Sequence, residues 1–467
     1  MKGNTPKKKL LKWILLCSLL AITAILMILS LALSTTVTDI LEALPEGTAY
    51  LVLILFLMLP IAMIMLIVAL AQEMKSARSD TKKSKAQTKT ESVLAVEETG
   101  NEEESGERVP RFCMLCRIDE NKAQYSEKVF DEDVSLKRFC DNFRSFAASE
   151  LKLYYDISDI RRFIAGLAVS PIIILQGMSG TGKTSLAHAM GAFLENRSTV
   201  IPVQPMWKER TDLLGYYNEF TKRFNETLLL EKMYEANYSE EIYITVMDEM
   251  NIARVEYYFA EFLSLLELPN PDERYIDVVS DMWDNDPVLL RDGRIKLPPN
   301  MWFIGTANND DSTFAISDKV YDRAMILNLD TKAERFVAPR TKPIHLSAEK
   351  FRTLAEEAKR EYSVTKRNMK RLEELDKYLI EHFHITFGNR IMKQIQSYIP
   401  VYVSCGGEEL EALDDILAKK IIRKLETQNP VYLRSAAEGL CNYLDELFGT
   451  DAMPICKSAI HRLERNA

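Results

Sequence analysis

Gly177-Met178-Ser179-Gly180-Thr181-Gly182-Lys183-Thr184 fits the pattern G-x-x-x-x-G-K-[ST] and runs directly into Ser185. Such a loop cradles phosphates. Its glycines let backbone N–H groups close on the anion, and the helix that follows adds positive potential. Lys183 is the residue to reach the β and γ phosphates, and Thr184 the one to hold Mg²⁺. Further along, the apolar run Ile242–Met247 ends in Asp248-Glu249. Paired acids at a strand end can be solvated loop residues. Downstream of a phosphate loop they read instead as a metal-shell aspartate, Asp248, and a general base, Glu249, that polarises the water attacking the γ-phosphate. The implied ligands are ATP and Mg²⁺. No base-reading motif separates ATP from GTP.

These residues need a strand, a turn and a helix in that order. Pro171–Leu175 reads as a buried strand and Ser185–Met190 as the helix after the loop. Strands are expected at 199–203, 242–247, 302–306 and 325–329, with helices at 158–167, 227–236 and 255–267 between them. This alternation predicts an α/β fold: a parallel P-loop NTPase sheet covered by helices. Residues 109–157 read as a mixed, mostly helical region. From 341 onward the pattern is helical, over 346–362, 368–383, 391–398, 410–425 and 436–447. The expected organisation is a core over 158–340 and a helical lid with a C-terminal extension over 341–467.

The chain has 467 residues and a formal net charge of −9, which argues against coating nucleic acid through bulk charge. Cys113-Met114-Leu115-Cys116 lacks the second pair a zinc ribbon needs and reads as packing cysteines. Residues 13–33 and 50–71 are two long apolar runs without a charge. Lysines before the first and basic residues after the second, with only acids between, predict a hairpin of two transmembrane helices in the cell membrane with both termini cytoplasmic. Residues 73–108 turn from Lys/Ser/Thr-rich to Glu-rich and are expected to be a flexible linker.

Asp248-Glu249-Met250-Asn251-Ile252-Ala253-Arg254, followed by Phe259-Ala260-Glu261 and Leu265-Leu266-Glu267, resembles the McrB-type branch of the AAA+ ATPases, with looser similarity to MoxR and dynein-related members. Ile252 stands where that branch has arginine. The resemblance covers about residues 160–400. It implies that Asn308, in Trp302–Asn308, is the sensor-1 residue that orients the attacking water. It also implies that Arg323 is an arginine finger for the neighbouring subunit's nucleotide and that Arg390, in Phe387-Gly388-Asn389-Arg390, is the sensor-2 arginine facing the γ-phosphate. Arg323 read by itself also suits a surface arginine paired with Asp322, and Arg390 a structural lid arginine. The resemblance further implies a homo-oligomeric, hexameric ring and a role in defence against foreign DNA. The chain has no nuclease motif, so that role needs a separate nuclease partner. A client protein remodelled in MoxR fashion, and a nucleotide-gated scaffold with little turnover, are the rival readings. Asp292-Gly293 signals a hairpin between 288–291 and 294–297. Its Arg291, Arg294 and Lys296 suit either a threaded polymer, nucleic acid included, or the guarding of a sheet edge.

Overall fold

The computed structural model describes residues 110–126, 128–308, 313–330 and 333–466, all within one unit, Gly106–Ala467. Side chains along a strand alternate between its faces, and here both faces are apolar. Ile172 and Ile174 enter one core while Ile173 and Leu175 enter the other. Burial on both sides explains why these strands read as continuous apolar runs, as parallel sheets require.

The strands are β1 Ile172–Gly177, β2 Thr199–Pro202, β3 Gly215–Asn218, β4 Arg223–Glu226, β5 Tyr243–Asp248, β6 Tyr275–Asp277, β7 Arg294–Lys296, β8 Met301–Asn308 and β9 Met325–Asn328. The main sheet is five-stranded in the order β2-β5-β8-β1-β9, and every pair in it is parallel. Each of the five expected strands is present. Register sets Gly177 beside Asn308. The C-terminal ends of β1, β5 and β8 therefore deliver the Gly177–Thr184 loop, Asp248-Glu249 and Asn308 to one edge of the sheet. Helices Leu136–Glu150, Ile157–Val169 and Lys183–Phe193 bury their apolar sides in one core with the C-terminal helices, while Leu228–Ala236 packs in the other.

Several elements differ from expectation. The 255–267 helix is two short ones, Val255–Tyr258 and Ala260–Leu265, broken at Phe259, whose ring stacks on Phe262 at 4.9 Å. The helix expected at 391–398 runs from Gly388 to Ser404, straight through Pro400. Proline inside a helix costs about 3 kcal/mol, and the buried neighbours Tyr398, Ile399, Val401 and Tyr402 offset it. Asp292-Gly293 does turn a two-residue hairpin, with φ of +51° and +72° and reciprocal Arg291–Arg294 backbone bonds. The strand that follows it pairs with 275–277 rather than with 288–291. Lys296 is ion-paired to Asp272 at 2.6 Å. Cys113 is exposed rather than packed.

The expected location in the cell membrane is corrected. Among the described residues, no helix is long and apolar enough to cross a membrane. The longest, Pro430–Phe448, has 19 residues but carries Arg434, Glu438, Asp445 and Glu446. The N-tail, the two apolar runs and the linker over 73–108 lie outside the described residues.

Candidate nucleotide site

The loop between β1 and the Lys183–Phe193 helix turns through Gly180 and Gly182, with φ of +78° and +95°. These conformations suit glycine and direct successive N–H groups toward the loop's interior. Gly182 is the N-cap of the helix, so the helix's unpaired N–H groups and its positive end face the same space. Ser179 is exposed and Ser185 half-buried, and the Thr181 hydroxyl donates to the Met178 carbonyl at 3.0 Å. Lys183 is buried, and its ammonium donates to the carbonyls of Gly177 at 2.9 Å and Met178 at 2.8 Å. The positive charge is thereby held inside the loop. Tyr155, just before the Ile157–Val169 helix, donates its hydroxyl to the Gly182 carbonyl at 3.1 Å, and burial pushes its phenol well above the ordinary range.

Across the cleft, the Thr184 hydroxyl donates to Asp248 Oδ1 at 2.8 Å. The pair offers two hard oxygens and no softer ligand. Among the described residues no cluster of three or more His, Cys, Asp or Glu could hold a metal. Such a sparse oxygen set fits Mg²⁺, which keeps its waters and takes substrate phosphates as ligands. Glu249 follows in a left-handed conformation, φ +53° and ψ +46°. Its carboxylate is exposed and has no hydrogen-bond or ion-pair partner among the described residues. Asn308, half-buried, ends β8 beside Gly177. Its carbonyl accepts from Asn251 Nδ2 at 2.9 Å. A cavity of about 940 Å³ opens next to it, lined by Gln176, Asn251 and Asn308 on the sheet side and by Arg162, Asp415 and Lys419 on the helical side.

Thus the structure brings Gly177 to Ser185, Asp248, Glu249 and Asn308 to one edge of the sheet. It treats the two arginines differently. Arg323 does not pair with Asp322. It ion-pairs with Glu267 at 2.8 Å and donates to the Lys319 carbonyl at 2.7 Å. Arg390 pairs with the other oxygen of the same glutamate. One carboxylate therefore holds both guanidiniums, where expectation had separated them between neighbouring nucleotides. Asp322 pairs instead with Lys424 at 3.8 Å.

Sequence reasoning missed Thr306, Asn251 and Glu267 as members of this constellation. Thr306 is a polar residue in the otherwise apolar stretch Trp302–Ala307, and a hydroxyl buried there was the available signal. Glu267 stands out in the sequence only through the Leu-Leu-Glu likeness, and nothing in the sequence links it to residues 56 and 123 positions away.

Residues 172–324 match the family described as AAA domain (dynein-related subfamily), and residues 339–467 match a domain of unknown function, DUF8727. No curated protein matches the chain. Among solved structures, the chain is similar to a “putative ATPase” from Cytophaga hutchinsonii ATCC 33406, with 14% identity and a TM-score of 0.44, over 70% of this chain and 98% of that one. The parallel five-stranded sheet fits a P-loop α/β fold of the AAA+ type. With its phosphate loop, its paired acids and its match to the AAA domain of the dynein-related kind over residues 172–324, the chain is an ATP-hydrolysing P-loop enzyme.

Proposed function

We propose that the chain is an AAA+ motor that hydrolyses Mg·ATP between the protomers of a homo-oligomeric ring and uses the cycle to remodel or translocate a partner. The observation that carries this reading is the 2.8 Å contact between Thr184 and Asp248, which joins the phosphate loop to the acid-bearing strand with the unpartnered Glu249 carboxylate next in sequence. In this mechanism the N–H groups of Gly177, Ser179, Gly180, Thr181, Gly182 and Ser185 and the Lys183 ammonium bind the phosphates. Thr184 and Asp248 hold Mg²⁺, which when bound neutralises charge on the phosphate oxygens. Asn308 orients a water, and Glu249 takes its proton as the new P–O bond forms at the γ-phosphorus and the bond to the β-bridging oxygen breaks. Arg323 serves the neighbouring protomer's γ-phosphate, and Arg390 serves the γ-phosphate as the sensor of the lid. The likeness of the Asp248–Arg254 stretch to the McrB-type branch supports a hexamer and a separate nuclease as partner, with a protein client as the MoxR-like alternative. The shared pairing of Arg323 and Arg390 to Glu267 favours one rival, a nucleotide-gated scaffold with slow turnover.

Phosphate release by the full-length chain and by Glu249→Gln separates the two. A motor loses about 10²–10⁴-fold in kcat on losing its general base, while nucleotide binding persists. Equal, slow rates in both proteins would favour the scaffold.

A further inference from the structure

Thr306 sits two residues before the end of β8, and only 2% of it is exposed. Its hydroxyl donates to Asp248 Oδ1 at 2.8 Å, and its oxygen accepts the Glu249 backbone N–H at 2.8 Å. A hydroxyl has one proton and two lone pairs. With the proton committed to Asp248, a lone pair remains for the Glu249 amide, so both bonds form at once. Asp248 Oδ1 in turn receives two hydroxyl protons, from Thr306 and from Thr184. Two bonds on one oxygen hold the carboxylate in a single rotamer.

The second bond matters for a different reason. Glu249 is held left-handed, at φ +53°, which any residue with a Cβ resists. At this residue the chain leaves β5, which ends at Asp248, and enters the Met250–Ile252 turn. Strain of this kind persists only where surrounding groups over-determine it. The Thr306–amide bond does this from one side. From the other, the Ile252 N–H donates to the Glu249 carbonyl at 2.9 Å.

We infer that Thr306 is a positioning residue: a single hydroxyl on the neighbouring strand sets the direction of Glu249 and the orientation of the Asp248 carboxylate together. This rests on the reading of Glu249 as the base and Asp248 as the metal-shell acid. Thr306 touches neither substrate nor the reacting atoms. It acts through the two acids, so removing its oxygen slows the chemical step rather than weakening nucleotide capture.

The test compares Thr306→Ser, Thr306→Ala and Thr306→Val in the full-length chain with wild type and Glu249→Gln. It reads kcat, KM, fluorescent ATP-analogue binding and the Mg²⁺ concentration giving half-maximal rate. Misplacement of a reacting group costs about 10²-fold, so alanine and valine are expected to lower kcat by about that factor. KM and analogue affinity are expected to stay within about threefold, the signature of an interaction lost in the transition state. Alanine is also expected to raise the Mg²⁺ requirement, and serine to recover most of the rate. Should valine prevent folding, serine and alanine still differ by one oxygen and carry the comparison. Equal kcat in serine and alanine overturns the inference. So does a fall in melting temperature with kcat per folded molecule unchanged. If Glu249→Gln is inactive while alanine is not slowed, only the role of Thr306 falls. If Glu249→Gln turns over like wild type, the reading of the acids falls first.

Discussion

Glu267 accepts Arg323 on one carboxylate oxygen and Arg390 on the other. Both arginines are proposed to act on γ-phosphate, and neither can do so while paired. The glutamate thus competes with the substrate's own negative charge. Its side chain is 30% exposed and those of the arginines 22% and 48%, so solvent screens both pairs. Half-exposed pairs of this sort contribute about 0.2–1 kcal/mol each. Releasing two of them therefore has a modest, measurable effect. Glu267→Gln is expected to raise kcat/KM for ATP by roughly 2- to 30-fold, and Arg323→Ala in the same background to remove the activity. A fall in kcat/KM on removing the charge would mean instead that Glu267 steers the arginines toward the nucleotide. No sequence pattern announces this contact, because three residues meet only after the sheet and the C-terminal helices have closed on one another.

At the scale of elements, the C-terminal helices grip the short Asp318–Tyr321 helix that leads to Arg323. The Lys420 ammonium donates to the Tyr321 carbonyl at 2.7 Å and to that of Ala324. Arg423 pairs with Asp318 at 2.6 Å, and Gln394 donates to the Asp322 carbonyl at 3.0 Å. Any displacement of these helices must move the arginine with them. Burial is the main force lowering the Lys420 ammonium, to about 7, helped by Arg423, Lys424 and Arg390 and opposed by Asp322. The unfolded chain holds that proton up to about pH 10.4. Between these values the unfolded state binds more protons, so the Lys420 contribution to stability grows as pH rises and is lost as pH falls through 7. Urea denaturation at pH 7 and pH 9 should show wild type gaining on Lys420→Met, by at most about 1.4 kcal/mol per pH unit. A constant difference would place the titration elsewhere. The elements themselves were unevenly legible. Strands β1, β5 and β8 could be read because apolar residues on both faces leave a long unbroken signal, while the shorter β2 and β9 were legible from the apolar residues Val200-Ile201 and Met325–Leu327. The β3–β4 hairpin could not, because its strands are four residues long and mostly half-exposed or exposed. The Pro454–Asn466 helix was missed as well, since its anchor is the Asp414 carboxylate accepting the Ile455 and Cys456 amides at 2.7 and 2.8 Å. That bond spans about 40 residues.

For the molecule as a whole, the decisive question is whether a protomer completes its own site. Lys183, Thr184, Asp248, Glu249 and Asn308 converge at one edge of the sheet, whereas Arg323 is bound to Glu267 and sits on a segment held by the C-terminal helices. An arginine finger supplied to a neighbour makes a heterologous contact, which forms a ring when the rotation between protomers closes. That arrangement has a consequence a self-sufficient site lacks. Lys183→Ala destroys a protomer's own phosphate loop but leaves its finger intact, and Arg323→Ala does the reverse. Each protein alone should be inactive. In an equal mixture, about a quarter of the contacts pair an intact loop with an intact finger, so about a quarter of wild-type turnover should return. Mass measured by light scattering, with ATP and in the Glu249→Gln background, should rise to an integral multiple of the protomer, six on the ring proposed here. Absence of recovery on mixing, with both variants folded and assembling, would mean that Arg323 works within its own chain or only on Glu267, and the ring would then have to be explained without it.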